Sequence, residues 1–157
     1  MRRIAVLIVG VVALAGVVAF MAPLSRQANG EAASKGTQAQ PRDELASKLA
    51  RREVQRSPSS IPGREIVQVE TLIPVGVESG WHVHPGEEVG YIIAGQVEMA
   101  VQGRATVVLN SGDGFIIPPR TPHNARDLGP ETGRMLSTYI VETGQPIATF
   151  VDQPAPK

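Results

Sequence analysis

From residue 65 onward, apolar and polar residues alternate in short runs broken by Gly and Pro. That is the two-residue period of half-buried strands, not the 3.6-residue period of a helix. EIVQVETLIPVG, residues 65–76, is rich in β-branched residues and closes on Pro74 and Gly76. GYIIAGQVEMAVQG, 90–103, reads as two strands around Ala94, Gly95 and Gln96. ATVVLNSGDG, 105–114, reads as a strand and turn, and FIIPP, 115–119, as a short strand stopped by prolines. RMLSTYIVET, 134–143, is another strand, and PIATFVD, 146–152, a short last one. About eight closely spaced strands predict an all-β fold, a small antiparallel jelly-roll β-barrel. Such a barrel has an interior just wide enough for one small ligand.

The pattern ahead of residue 65 is different. After Met1, Arg2 and Arg3, residues 4–22 form an uninterrupted apolar run, IAVLIVGVVALAGVVAFMA. It exceeds the ~7–15 apolar residues of a signal peptide and nearly reaches the ~20 that span a bilayer. Val17, Val18 and Ala19 offer a small-residue cleavage site. A cleaved signal and an uncleaved signal-anchor helix both stay open. Either exports the rest of the chain, to the periplasm or to the periplasmic side of the inner membrane, with Arg2 and Arg3 left in the cytoplasm. Residues 23–41 lack apolar periodicity and read as linker. Residues 42–56, RDELASKLARREVQR, predict a helix with Leu45 and Leu49 on one face and Glu44 paired to Lys48. That helix is read as a spacer or as a basic helix on anionic lipid. Ser57 to Gly63 breaks the pattern. The predicted organisation is therefore a signal or anchor at 1–22, a partly helical linker at 23–63, a barrel at 64–150 and a tail at 151–157.

Formal net charge is zero, yet from residue 58 onward eleven acids face six bases. An acidic folded part argues against nucleic acid as a partner. The chain has no cysteine, which excludes disulfides, thiolate catalysis and Cys-type zinc sites.

Candidate chemistry sits in two stretches, 76–95 and 112–127, which together hold all three histidines. His82 and His84 are separated by Val83, so in a strand both imidazoles face the same way. Pro85 and Gly86 force a turn. A two-residue loop would set Glu87 opposite His84. A three-residue loop would set Glu88 there, and Pro-Gly favours the longer loop. Three nitrogens and one carboxylate converge if His123 comes from a neighbouring strand. Such a donor set suits Zn, Cu, Fe or Ni, and the carboxylate keeps Mn in play. Without a metal, the same residues would be satisfied structural histidines beside an incidental acid. Glu87 reads as a solvated loop acid. Asp127 shares the strand parity of His123 and either holds a ligand or bonds a turn. Asn124 has the opposite parity and reads as structural. Tyr91, Tyr139 and Met99 either line the cavity or pack in the core. Trp81 faces away from the histidines, and Arg104 and Arg120 are surface cations or carboxylate binders.

These spacings also carry a resemblance. Gly76, His82, His84, Glu88 and Gly95 resemble the first cupin motif in full, and Gly112, Pro118 and His123 resemble the second. Two positions depart from it. Arg120 stands where the second motif usually has Gly, and Asp127 where it usually has Asn. The resemblance, over roughly residues 64–150, is to a single-domain cupin of the jelly-roll superfamily. It implies a barrel that holds one divalent ion, Fe, Mn, Zn or Ni, through His82, His84, Glu88 and His123. It further implies a homodimer and a metal-dependent enzyme acting on a small oxygenated organic molecule. Glu88 and His123 are the residues expected to carry catalysis. Dioxygenation is the first reaction type, and isomerase or lyase chemistry is next. The alternative is a non-catalytic metallo-barrel that captures or senses a small ligand at the membrane.

Overall fold

The computed structural model describes residues 43–155. The apolar run at 4–22, most of the expected linker and residues 156 and 157 lie outside the described residues. Among those described, no helix is long and apolar enough to cross a membrane.

Ten strands form the fold: β1 (Ala50–Pro58), β2 (Arg64–Ile73), β3 (His82–Val83), β4 (Glu87–Ala94), β5 (Gln96–Val101), β6 (Val107–Asn110), β7 (Gly114–Ile117), β8 (His123–Asp127), β9 (Gly133–Glu142) and β10 (Thr149–Phe150). They pair antiparallel into two five-stranded sheets, ordered β1-β2-β9-β4-β7 and β10-β3-β8-β5-β6. The two-residue period is plain in β9, where Met135, Ser137, Tyr139 and Val141 are buried and the residues between them are not. Ile73, Ile92 and Met135 of the first sheet share a core cluster with Val97, Met99 and Ala125 of the second. Each of these Ile, Val and Met side chains contributes roughly 1.5–3 kcal/mol through burial.

The helix predicted over 42–56 does not form. Only Glu44–Ser47 make a single 3₁₀ turn, capped by the Asp43 side chain, which accepts from Leu45 N. From Ala50 the chain is β1, paired along its length with β2. Tertiary context overrides a short helical preference here. β1 supplies backbone partners to a strand that would otherwise be an exposed edge. Leu45 and Leu49, read as a helix stripe, are buried instead at one end of the barrel. Glu44 does not serve Lys48; its Oε2 accepts from Phe150 N at 2.6 Å. The folded unit therefore starts well before the predicted boundary at 64, and β1 raises the strand count above the expected eight.

From β2 to β5 each consecutive strand changes sheets. Between β4 and β5 the chain turns at Gly95, whose φ is +80°. That conformation costs little only without a Cβ. Between β3 and β4 it crosses over β9 so closely that a Cβ on Gly86 would lie 1.9 Å from Ile140 O. Arg120 has a positive φ, +54°, without being glycine. Its N–H donates to His84 O at 2.8 Å, tying the two histidine-bearing stretches together.

Gly86→Ala must displace backbone, not a side-chain tip. It should cost about 2–3 kcal/mol, seen as a fall in Tm of roughly 10 °C. Gly114→Ala, whose Cβ would meet only an ordinary 3.5 Å contact, should leave Tm nearly unchanged. Thermal unfolding of both variants checks the contrast.

Candidate metal centre

Two sheets build the site. His82 on β3 stands directly opposite His123 on β8, with ring centroids 4.0 Å apart. His84 follows on the same face, 5.0 Å from the His82 ring and 4.9 Å from that of His123. All three are buried, and each offers a ligand atom within 4.8 Å of the others.

Glu88 arrives by a different route from the one predicted. β4 pairs with β7 and β9, not with β3, so no hairpin sets Glu88 opposite His84. The Pro85-Gly86 turn instead carries the chain into the facing sheet, because β3 is a two-residue strand flanked by β8 and β10. The outcome still includes Glu88. Its Oε2 lies 3.1 Å from His84 Nε2 and 3.3 Å from His123 Nε2.

The rings are held in one orientation. His82 Nδ1 lies 2.8 Å from Gly80 O, His84 Nδ1 2.7 Å from Ile147 O and His123 Nδ1 2.9 Å from Thr121 O. A carbonyl only accepts, so each Nδ1 carries the proton and donates. The inward nitrogen is then Nε2 in all three rings. A neutral ring presents a lone pair there, the arrangement in which an outer carbonyl prepares a histidine to bind a metal. His84 Nε2 is buried without a hydrogen-bond partner, despite its contact with Glu88. These nitrogens can accept either a proton or a cation.

Electrostatics agree with that donor set. Burial pushes the His82 imidazole well below its ordinary range, and His123 and His84 beside it add to the effect. Burial alone would raise the Glu88 carboxyl, but His84 and His123 outweigh it and hold the group well below the usual carboxylate range. Glu88 is therefore ionised. Nearby, the buried Arg51 side chain and half-buried Asp43 form a contact of 2.6 Å between Nε and Oδ2. That effect on Glu88 requires positive charge at the ring nitrogens, from ring protons or from a cation held at the same place. A divalent cation fits the three nitrogens and the carboxylate together.

The cavity at the site has a volume of about 10 Å³, lined by Leu45, Leu49, Met99, Met135 and Tyr139 beside His82, His123 and Glu88. That is room for about one water-sized sphere, less than the small ligand expected from barrel size. Leu45 and Leu49 account for the difference, because the segment read as linker fills the barrel end.

The remaining candidates divide. Tyr139 is buried and donates from its hydroxyl to Glu88 Oε1 at 3.1 Å. Met99 lines the cavity, whereas Tyr91 is half-exposed on the outer face. Asp127 bonds a turn: its Oδ1 accepts from Gly129 N at 3.2 Å. Asn124 accepts from Ser79 Oγ and Gly80 N. Glu87 pairs with Arg64 at 3.1 Å, and exposed Arg120 pairs with Glu142 at 2.9 Å. Trp81 and Arg104 border a separate surface groove. Sequence reasoning missed Arg51. Its side chain is only 3% exposed, and it bonds Asp43, Thr71 and Tyr139. Nothing in 50–58 alternates as a half-buried strand would: only Arg51 and Arg56 are partly buried and the rest is exposed.

Residues 68–139 match the model of the cupin domain. An uncharacterized protein of Methanocaldococcus jannaschii is 36% identical over 61 residues, which make up 38% of this chain and 48% of that protein. The chain thus spans about half the length of that relative. An uncharacterized conserved protein of Klebsiella pneumoniae with a double-stranded β-helix domain superposes with a TM-score of 0.56 at 23% identity, covering 67% of this chain and 85% of that one. The DMSP lyase DddQ of Ruegeria pomeroyi superposes with a TM-score of 0.55 at 20% identity, covering 69% and 54%. The two superpositions are likenesses of fold.

Folded His82 resists protonation, whereas the unfolded chain takes up that proton near 6.5. Below that pH the unfolded state binds more protons, so stability falls as pH drops. Above it this group contributes nothing further. Urea midpoints of chelator-treated protein should fall below about pH 6.5, by up to about 1.4 kcal/mol per pH unit from this residue. His82→Gln should flatten that part of the profile.

Proposed function

We propose that this chain is a metal-dependent cupin enzyme in which His82, His84, His123 and Glu88 hold one divalent transition ion and process a small oxygenated organic molecule. The observation that carries this reading is a cluster of three buried histidines, each ring fixed through its Nδ1, with the His84 and His123 Nε2 atoms against the ionised and buried Glu88. An ion bound there supplies a Lewis acid to a substrate oxygen or, if redox-active, a centre for dioxygen chemistry. The protein's own side chains supply the rest. The imidazoles turn Nε2 toward the ion, and Glu88 is placed to accept a proton at Oε2. Leu45, Leu49, Met99 and Met135 keep bulk water out of the cavity. Dioxygenation of an enol or phenol is the first reaction to assay, and lyase or isomerase chemistry follows. The apolar run at 4–22 supports a barrel working outside the cytoplasm, as a periplasmic or membrane-tethered protein, and the likeness to cupins suggests a homodimer.

A second reading rests on the cavity. About 10 Å³ holds no organic substrate while Leu45 and Leu49 lie over the site. A barrel sealed in that way suits a metallo-barrel without turnover, whose small ligand enters only when Leu45 and Leu49 move aside.

Protein purified without affinity metals should contain about one transition ion per chain by elemental analysis. His123→Ala should lower that occupancy by roughly tenfold or more and abolish turnover, while circular dichroism stays that of a folded β-protein. Wild-type protein that takes up no ion at any loading would sink the proposal. A ligand retained unchanged at full metal loading would favour the capture reading.

A further inference from the structure

The buried polar group that the site above leaves unused is Arg51. Its guanidinium is held at three points: Nε donates to Asp43 Oδ2 at 2.6 Å, Nη1 to Thr71 Oγ1 at 3.0 Å and Nη2 to Tyr139 Oη at 3.2 Å. A hydroxyl has one proton. With its oxygen accepting from Arg51, Tyr139 has that proton left for Glu88 Oε1, 3.1 Å away. Burial and the adjacent Glu88 charge push the phenol up from its ordinary range, so it stays a donor.

The chain of contacts spans the first sheet. Arg51 lies opposite Thr71 on β2, while Tyr139 lies opposite Val67 on β2 and Glu88 on β4. Thr71 and Val67 are four residues apart, roughly 13 Å along the strand. Arg51 and Tyr139 therefore meet tip to tip from distant rows. Both are long side chains fixed at their far ends, so the meeting point has little freedom. Glu88 Oε1 is tied to that point. Its other oxygen, Oε2, is the one left facing His84 and His123.

We propose that Arg51 and Tyr139 are positioning residues that act in series on Glu88, fixing which carboxylate oxygen faces the three imidazoles and so setting metal affinity. The proposal rests on the four-ligand reading above and adds two residues that touch no ion. Loss of an outer partner of this kind typically weakens metal binding 10–100-fold. Arg51 acts only through the Tyr139 hydroxyl, so its influence on the ion must disappear when that hydroxyl is gone.

The test is a titration of chelator-treated full-length protein with Mn²⁺ alone, followed by the electron paramagnetic resonance signal of the free ion. Tyr139→Phe keeps the ring and should raise the Mn²⁺ Kd by roughly tenfold or more, with a changed spectrum for the bound ion. Arg51→Lys keeps the charge and loses the fork, and should raise Kd by a smaller factor. The double variant should bind no more weakly than Tyr139→Phe, although urea unfolding reports a separate stability loss from Arg51→Lys. Arg51→Lys also covers the case in which a more drastic Arg51 variant does not fold. A Kd for Tyr139→Phe within twofold of wild type, or tighter, overturns the proposal, as does a double variant with additive losses. Wild-type protein that binds no Mn²⁺ sinks the four-ligand reading and this proposal together. Wild-type binding with unaltered variants sinks the series alone.

Discussion

Glu88 is an ionised carboxylate in a nearly dry interior, and its compensation is the constraint on which the rest of the site depends. Leaving a charge unpaired in such a place costs several kcal/mol. The barrel surrounds this one with groups from both sheets. Tyr139 donates to one oxygen, and the other faces the His84 and His123 Nε2 atoms, where a proton or a cation completes the compensation. Every compensating group is anchored in turn: the phenol by Arg51, the rings by backbone carbonyls. The corners at Gly86 and Gly95 are what bring facing sheets close enough for this. Packing and electrostatics therefore serve the same few atoms.

The fold was legible where period and punctuation were strong. From 65 to 143, alternation and Gly or Pro stops mark the strands that form, and the motif spacings name the four side chains that meet. The route by which Glu88 reaches the histidines was not legible. A Pro-Gly turn between two short strands reads as a hairpin from local rules alone. Only the pairing of β3 with β8 and β10, residues distant in the chain, shows that the turn is a crossing. Pairing partners are decided by tertiary burial, which no local window contains.

The N-terminal side of the barrel was hidden for another reason. RDELASKLARREVQR has helix-forming composition and almost no alternation of apolar residues, since β1 is exposed along most of its outer face. Its inward positions are filled by a paired arginine rather than by valine or isoleucine. Arg51 could be buried only because Asp43, Thr71 and Tyr139 wait for it, and that cannot be read before the strand is placed. The same misreading made the barrel look roomier than it is, because Leu45 and Leu49 occupy its end.

The three ring-orienting carbonyls differ in origin. Gly80 and Thr121 each stand two residues ahead of the histidine they serve. Ile147 lies 63 positions beyond His84. Two imidazoles thus carry their alignment within their own turns, while the third borrows it from the last stretch of the domain before β10. Fraying of that terminal stretch would release one ring and spare the others. The trio is unequal in its robustness, with His84 the member most exposed to events at the far end of the chain.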